Sequence, residues 1–441
     1  LTADAYDKTS AQSIYEYSKK LTGKSLAETV FIPSSIANSR NRGDLGSLVE
    51  NFFFVHRPES NHGPDFADAG LELKTTGVVK SKKGGYRAKE RLVLTMIDFE
   101  KLVEETWAGS SLLAKCRLML ILFYLYEKDR SVVDRRFVLD PLIFEASRED
   151  MSVIQKDWET IQKKIRDGRA HELSEGDTFY LGACRKGSGG DKEALRSQPY
   201  SSELAKARAF SFKASYVNTL IQNRVNQDAG LGVKEGLTFE EATRQRFAPY
   251  IGRSIDEISE SLSLFKAGKN QKGFHKQLAN RILAASGEKL SELEKADIEM
   301  KTIRLSRTNR PKEHMSFPGF SFMAIGDMTW EESTFFDKLE RKFLFIIFRT
   351  DTQGVERLEK VAYWNMPYED RLEAQTVWEE TQRLVQIDAT RLPGATENRV
   401  AHVRPKAKNA ADKAPTPQGG MHTKQGFWLN NSYIETVIDS L

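Results

Sequence analysis

Residues 63–76 read GPDFADAGLELKTT, an acid in a loop, Asp65, followed by Glu72 and Lys74 in an alternating apolar and polar run. Successive side chains of an extended strand point to opposite faces. Leu71 and Leu73 therefore share one face, Glu72 and Lys74 the other. Glu-x-Lys alone is a weak signal. The same triplet recurs at Glu299/Lys301 and Glu340/Lys342, and neighbouring charges on a strand commonly form a solvated pair contributing about 0.2–1 kcal/mol. The acid ahead changes the reading. A loop that folds back beside the strand brings two carboxylates, Asp65 and Glu72, onto one hard cation. Mg²⁺ is typically held by one or two carboxylates, several waters and a substrate phosphate. A bound metal ion activates water and offsets charge on phosphoryl oxygens. Lys74 points into the same place, where an ammonium orients the attacking water or offsets charge building on phosphorus. Each residue type has a task in phosphodiester hydrolysis.

Outward from this stretch, KSKKGGYRAKE (80–90) has the charge and glycines of a hairpin tip, and RLVLTMI (91–97) reads as its return strand. Upstream, Leu45, Leu48, Val49, Phe52 and Phe53 form a helical stripe that ends before Pro58. Glu50 interrupts it. A lone carboxylate on an apolar helix is costly to bury, so a place in or beside a metal site explains it better. Residues 10–30 read as helical, with Ile14, Tyr17, Leu21 and Leu26 on one face. RLMLILFYLY (117–126) is too continuously apolar for a half-exposed strand and reads as a central one, covered on both faces. DWETIQKKIRDG (157–168) is a helix stopped by Gly168.

The chain has 441 residues and a net charge of only +4, so a nucleic-acid partner needs a local basic surface. At roughly 100–200 residues per domain, two to four domains are expected. Cys116 and Cys184 make no zinc spacing and no disulfide framework, which fits a reducing cytosol, and the seven histidines are scattered. The most apolar run, 118–126, is far below the roughly 20 residues needed to cross a bilayer. The expectation is a cytoplasmic protein with no membrane partner.

The halves of the chain echo each other in order. LELKTT (71–76) matches IEMKTI (298–303), and RLMLILFYL (117–125) matches KFLFIIFRT (342–350). DWETIQ (157–162) matches VWEETQ (377–382), and CRKGSGGDK (184–192) matches VRPKAKNAADK (403–413). AFSFKASYVNTLI (209–221) matches GFWLNNSYIETVI (426–438). The chain reads as two copies of one α/β fold, residues 1–222 and 236–441, joined by a linker at 223–235. A polar segment at 407–425 reads as a mobile loop.

GDLGSLVENFF, PDFADAGLELKTT and DWETIQKKI together resemble the MutH family of the PD-(D/E)xK nuclease superfamily. That family includes the mismatch-repair nicking endonuclease and type II restriction endonucleases that cut at GATC. The resemblance covers residues 30–221 and, more weakly, the second half. The two-copy length is similar to that of the GATC-cutting restriction enzymes, which carry a catalytically degenerate C-terminal copy. The resemblance implies two tandem restriction-endonuclease-like domains, each a mixed central sheet flanked by helices. It implies Mg²⁺-dependent cleavage of double-stranded DNA 5′ of the G in GATC, leaving 5′-phosphate and 3′-hydroxyl ends. Asp65, Glu72 and Lys74 match the catalytic triad, with Asp65 and Glu72 as metal ligands, and Glu50 matches the additional acid. Lys115 matches a phosphate-contacting lysine in a looser alignment, where a lysine merely flanking the strand is an equal reading.

The resemblance places Arg185 and Lys186 in a DNA-contacting loop of the family, as candidates for guanine edges. Lys206, Arg208 and Lys213 suit phosphate contacts. In the second copy Glu299 and Lys301 remain, but Glu292 takes the Asp65 position, and Gln277 or Asn280 takes that of Glu50. With Arg404 and Lys406 retained, that copy is expected to bind DNA without cutting it, and to favour a DNA-induced homodimer. Two alternatives stand beside this reading: a MutH-type enzyme nicking hemimethylated GATC, and a non-catalytic DNA-binding module.

Overall fold

The computed structural model describes residues 6–33, 44–56, 63–82, 84–186, 195–223, 238–263, 273–285 and 291–441. Apart from short excursions, the chain divides into two compact units, the division falling between Glu235 and Gly236. Residues 224–235 of the expected linker lie outside the described residues.

In the first unit, β1 (Glu72–Lys80) pairs antiparallel with β2 (Tyr86–Ala88) and parallel with the strand of the 117–126 run, whose alignment sets Glu72 opposite Met119 and Lys74 opposite Ile121. Between β2 and that run lies β3 (Leu92–Met96). The apolar run itself is β4 (Met119–Leu125), and β5 (Leu142–Phe144) completes the order β2-β1-β4-β5. All of β4 except its last residue is buried, as its uninterrupted apolar sequence requires. Next come β6 (Leu181–Arg185), then β7 (Leu195–Gln198) and β8 (Ser201–Lys206), which form a two-stranded sheet of their own, and β9 (Arg208–Phe212); β3, β9 and β6 form a further sheet. Its order is β3-β9-β6, all antiparallel. The return strand of the β1 hairpin is thus Tyr86–Ala88, a correction to the reading of 91–97. Leu92–Met96 leaves that hairpin and pairs with β9 instead.

The second unit repeats this plan. Its strands are β10 (Glu299–Leu305), β11 (Met315–Gly319), β12 (Lys342–Thr350), β13 (Glu356–Asn365), β14 (Ala401–Pro405), β15 (Lys413–Pro415), β16 (Met421–Thr423) and β17 (Gln425–Leu429). β10 and β12 are parallel, β13 closes that sheet, and β11-β17-β14 form the antiparallel sheet. Side chains repeat as well. Tyr216 donates to Asp150 and Tyr433 to Asp370, each at 2.8 Å. Gln162 donates to the carbonyls of Leu102 and Glu105, and Gln382 to those of Ile325 and Met328. The segment 407–425 is not a structureless loop: β15 and β16 pair within it, Lys413 opposite Thr423.

Candidate active site

The spacing of Asp65 and Glu72 is set by a turn. Phe66 and Leu71 exchange main-chain hydrogen bonds of 2.9 and 3.1 Å around it. Gly70, at φ +61°, supplies the left-handed residue that such a reversal favours. Asp65 and Glu72 are then the next pair out, held reciprocally. The Asp65 N–H donates to Glu72 Oε2 at 3.1 Å, and the Leu73 N–H to Asp65 Oδ2 at 2.8 Å. His56, which the sequence did not single out, places Nε2 2.5 Å from the Asp65 carbonyl oxygen and stacks on Phe66. Only the fold brings it there.

Glu72 is fully buried at the start of β1. Its Oε1 accepts from Lys74 at 2.5 Å and lies 3.5 Å from the Lys115 amine. Lys115 lies in the last turn of the helix Ser111–Cys116, whose N-terminus is capped by Ser110 accepting from the Leu113 N–H and whose other end leads into β4. Glu50 comes from an element the periodicity did not reveal. Asp44–Leu48 is α-helical, but Val49–Phe53 widens into a π-turn, with the Phe54 N–H reaching the Val49 carbonyl. Such turns are rare and frequently lie at functional sites. Burial, then the nearby Asp65 charge, pushes the Glu50 carboxyl up to about 7, against the opposing pull of Lys74. The Glu72 carboxyl is also raised, by burial first and by Asp65, although Lys74 and Lys115 oppose it. The structure thus gathers Glu50, Asp65, Glu72, Lys74 and Lys115.

Among the described residues, no three carboxylates, imidazoles or thiols close into a ready-made metal cage. The donor set still fits Mg²⁺, which needs only one or two carboxylates beside waters and a phosphate. Carboxyls raised by burial and by a like charge are the groups a divalent cation would relieve.

A family model described as DNA mismatch repair enzyme MutH matches residues 54–157 and 283–375, one segment in each unit. The type II restriction enzyme Sau3AI of Staphylococcus aureus is 31% identical over 98% of both chains. The chain belongs to the MutH-like family of type II restriction endonucleases. The DNA mismatch repair protein MutH of Shewanella woodyi is 27% identical, over 41% of this chain and 77% of its own length. That of Shewanella baltica (strain OS155 / ATCC BAA-1091) is 25% identical, over 48% and 94%. The repair proteins thus match less than half of this restriction-endonuclease homologue. No helix among the described residues is long and apolar enough to cross a membrane.

The residues expected at DNA are not all at a surface. Arg185 ends β6 and Lys186 follows it, both half-buried; residues 187–190 of their loop lie outside the described residues. Lys206 ends β8, also half-buried. Arg208 and Lys213 are a correction. Arg208 is buried on β9 and donates to the Ala183 and Leu173 carbonyls at 3.0 and 2.6 Å. Lys213 is buried and donates to Thr178 O at 2.7 Å. Both spend their charge satisfying main-chain carbonyls inside the unit, which rules them out as exposed phosphate contacts.

In the second unit a cleft of about 1010 Å³ lies over β10, lined by Lys276, Asn280, Glu299, Lys301, His314 and Lys338 among others. Glu299 pairs with Lys301 at 2.9 Å and Lys338 at 3.3 Å. Burial works to raise its carboxyl, but the two amines outweigh it and hold it below the usual value, opposite to Glu72. The helix Phe274–Ala285 contains no π-turn, and Glu292 sits buried on Ser291–Lys295. Arg404 is exposed on β14, and Arg404 and Lys406 both lie over the Trp428 ring.

Proposed function

We propose that the first unit hydrolyses double-stranded DNA 5′ of the G in GATC with Mg²⁺, and that residues 236–441 bind a second GATC site and favour pairing of two chains. The convergence of Glu50, Asp65, Glu72, Lys74 and Lys115 on one face of β1 carries this reading. Asp65 and Glu72 would hold the ion. Mg²⁺, when bound, supplies an activated water and offsets charge on the phosphate. Lys74 anchors Glu72 and presents an ammonium toward the reacting phosphate, with Lys115 behind it. Glu50, poised near neutrality, holds or releases a proton beside them. Arg185 and Lys186 would read bases and Lys206 would touch phosphate.

Arg404 and Lys406, oriented over Trp428, would serve the effector copy. The lysine-neutralised Glu299 supports binding there without cutting. The MutH-type nicking alternative leaves the second unit without a role.

Supercoiled plasmid incubated with the protein and Mg²⁺ tests the proposal. Linear fragments ending at GATC are expected. Open circles alone support nicking, and unchanged plasmid supports a binding module.

A further inference from the structure

The hairpin beyond the catalytic strand has no part in the chemistry above, yet it concentrates the chain's charge. Residues 80–91 contain six basic residues (Lys80, Lys82, Lys83, Arg87, Lys89 and Arg91) and one acid, Glu90, for a net charge of +5. The whole chain carries +4, so everything else sums to −1. Lys80, Lys82 and Arg87 are exposed, and among the described residues none of the three side chains has an ion-pair or hydrogen-bond partner. Like charges this dense repel one another, and a fold gains nothing from leaving them unpaired.

The base of this arm is fixed. Val79 pairs with Arg87 and Lys80 with Tyr86. The Ala88 N–H donates to Asn218 at 2.6 Å and the Lys89 N–H to the Gly77 carbonyl at 2.9 Å. The Lys89 amine sits 3.6 Å from the centroid of the Tyr126 ring, at the end of β4. Gly84 and Gly85, at φ +92° and +69°, allow the tight reversal that a side chain would strain. The cations therefore stand at a set distance from the active site.

The second unit provides an internal comparison. After β10 its corresponding segment carries Arg307, Arg310 and Lys312, with Glu313. Arg310 lies 4.0 Å from Glu435 and Lys312 3.8 Å from Glu356, and Lys312 also donates to Thr350. Two of those three cations have acids beside them within the fold. In the first unit Lys89 likewise lies 3.8 Å from Glu90, but Lys80, Lys82 and Arg87 have no such neighbour among the described residues. A polyanion is the partner that unpaired cations at a fixed spacing fit.

We infer that the β1–β2 arm grips DNA phosphates outside the recognised sequence, as a sequence-independent clamp on flanking duplex. This rests on the nuclease reading for the position of the DNA. Lys80 is six residues beyond Lys74 on one continuous strand, and so about 20 Å from it. A four-base-pair site spans only about 14 Å of duplex. The arm thus meets backbone beyond GATC, where contacts add affinity but carry no base information.

The test compares wild type with the triple variant Lys80→Ser, Lys82→Ser, Arg87→Ser. Two GATC duplexes are used, one with about four flanking base pairs on each side and one with about twenty. Wild type should prefer the long duplex, and the variant should lose most of that preference. On a long duplex lacking GATC, the slope of log affinity against log salt should become shallower by about 2.7, the counterion release of three phosphates. Lys82→Glu alone, at the exposed tip, should weaken long-duplex binding more than Lys82→Gln. This pair gives the answer even if the triple variant folds poorly. An unchanged salt slope and long-to-short ratio, with cleavage intact, would overturn the clamp. Absence of GATC cleavage with the slope still altered would overturn the nuclease reading and leave the clamp standing.

Discussion

Lys74 and Lys301 occupy matching positions on β1 and β10, and replacing each by alanine should have unlike consequences. The Lys74 amine is 2.5 Å from a fully buried Glu72, within a set that includes Glu50 and Asp65. Removing one preorganised donor from developing transition-state charge costs about 10²–10³ in rate, or about 2.7–4 kcal/mol. The Lys301 amine is 2.9 Å from Glu299, itself also paired with Lys338, and the two amines hold that carboxyl below its usual value. Lys301→Ala should therefore cut within about twofold of wild type, since no transition-state charge is lost. Single-turnover cleavage of a GATC duplex at saturating enzyme isolates chemistry from product release, and a gel shift without divalent metal reports binding separately. Lys74→Ala should bind and not cut. Should Lys301→Ala prove as inactive as Lys74→Ala, or Lys74→Ala retain nearly wild-type rates, the assignment of chemistry to the first unit is refuted.

Asp65→Ala should abolish cleavage while still retarding a GATC duplex in a gel, and wild-type cleavage by this variant would remove Asp65 from the site. The Glu50 carboxyl is raised from 4.5 to about 7, so the folded protein holds a proton that the unfolded chain releases. Its stabilising contribution is complete below pH 4.5 and is lost as pH rises through about 7. Metal-free denaturant titrations should show that decline, flattened in Glu50→Gln. Glu356 behaves oppositely. Burial works to raise its carboxyl, but His275 and Arg304, each at 2.9 Å, hold it at about 2. Its contribution is present above pH 4.5 and lost as pH falls toward 2, so wild type and Glu356→Gln should converge in acid. Arg208→Met should lower stability by about 2–4 kcal/mol, through two carbonyls left without a charged donor. It should leave the salt dependence of DNA binding unchanged; a shallower slope would return Arg208 to the DNA surface.

The placement of Asp65 against Glu72 at the start of β1 was legible because strand alternation and a seven-residue interval are simple geometry: a turn closes Phe66 onto Leu71 and sets the two carboxylates together. The duplication was legible because packing needs such as the Tyr216–Asp150 and Tyr433–Asp370 bonds preserve sequence order. Arg208 and Lys213 were misread because a sequence shows that a residue is charged, not whether its charge is spent on buried carbonyls. The β1 hairpin partner was missed because Tyr86–Ala88 is too short to show alternation, while the stronger pattern at 92–96 belongs to another sheet. The π-turn at Val49–Phe53 leaves no distinct periodicity in five residues. The pair β15–β16 hides in a stretch whose prolines and glycines resemble those of a loop.

The central claim is that the acid and lysine set on β1 makes this restriction-endonuclease homologue a GATC cutter. Mapping product ends at base resolution, after Mg²⁺-dependent digestion of DNA of known sequence, tests it most directly. The account predicts 5′-phosphate ends at the G of GATC on both strands, and none from Lys74→Ala. Ends at another sequence, or identical ends from Lys74→Ala, would contradict it.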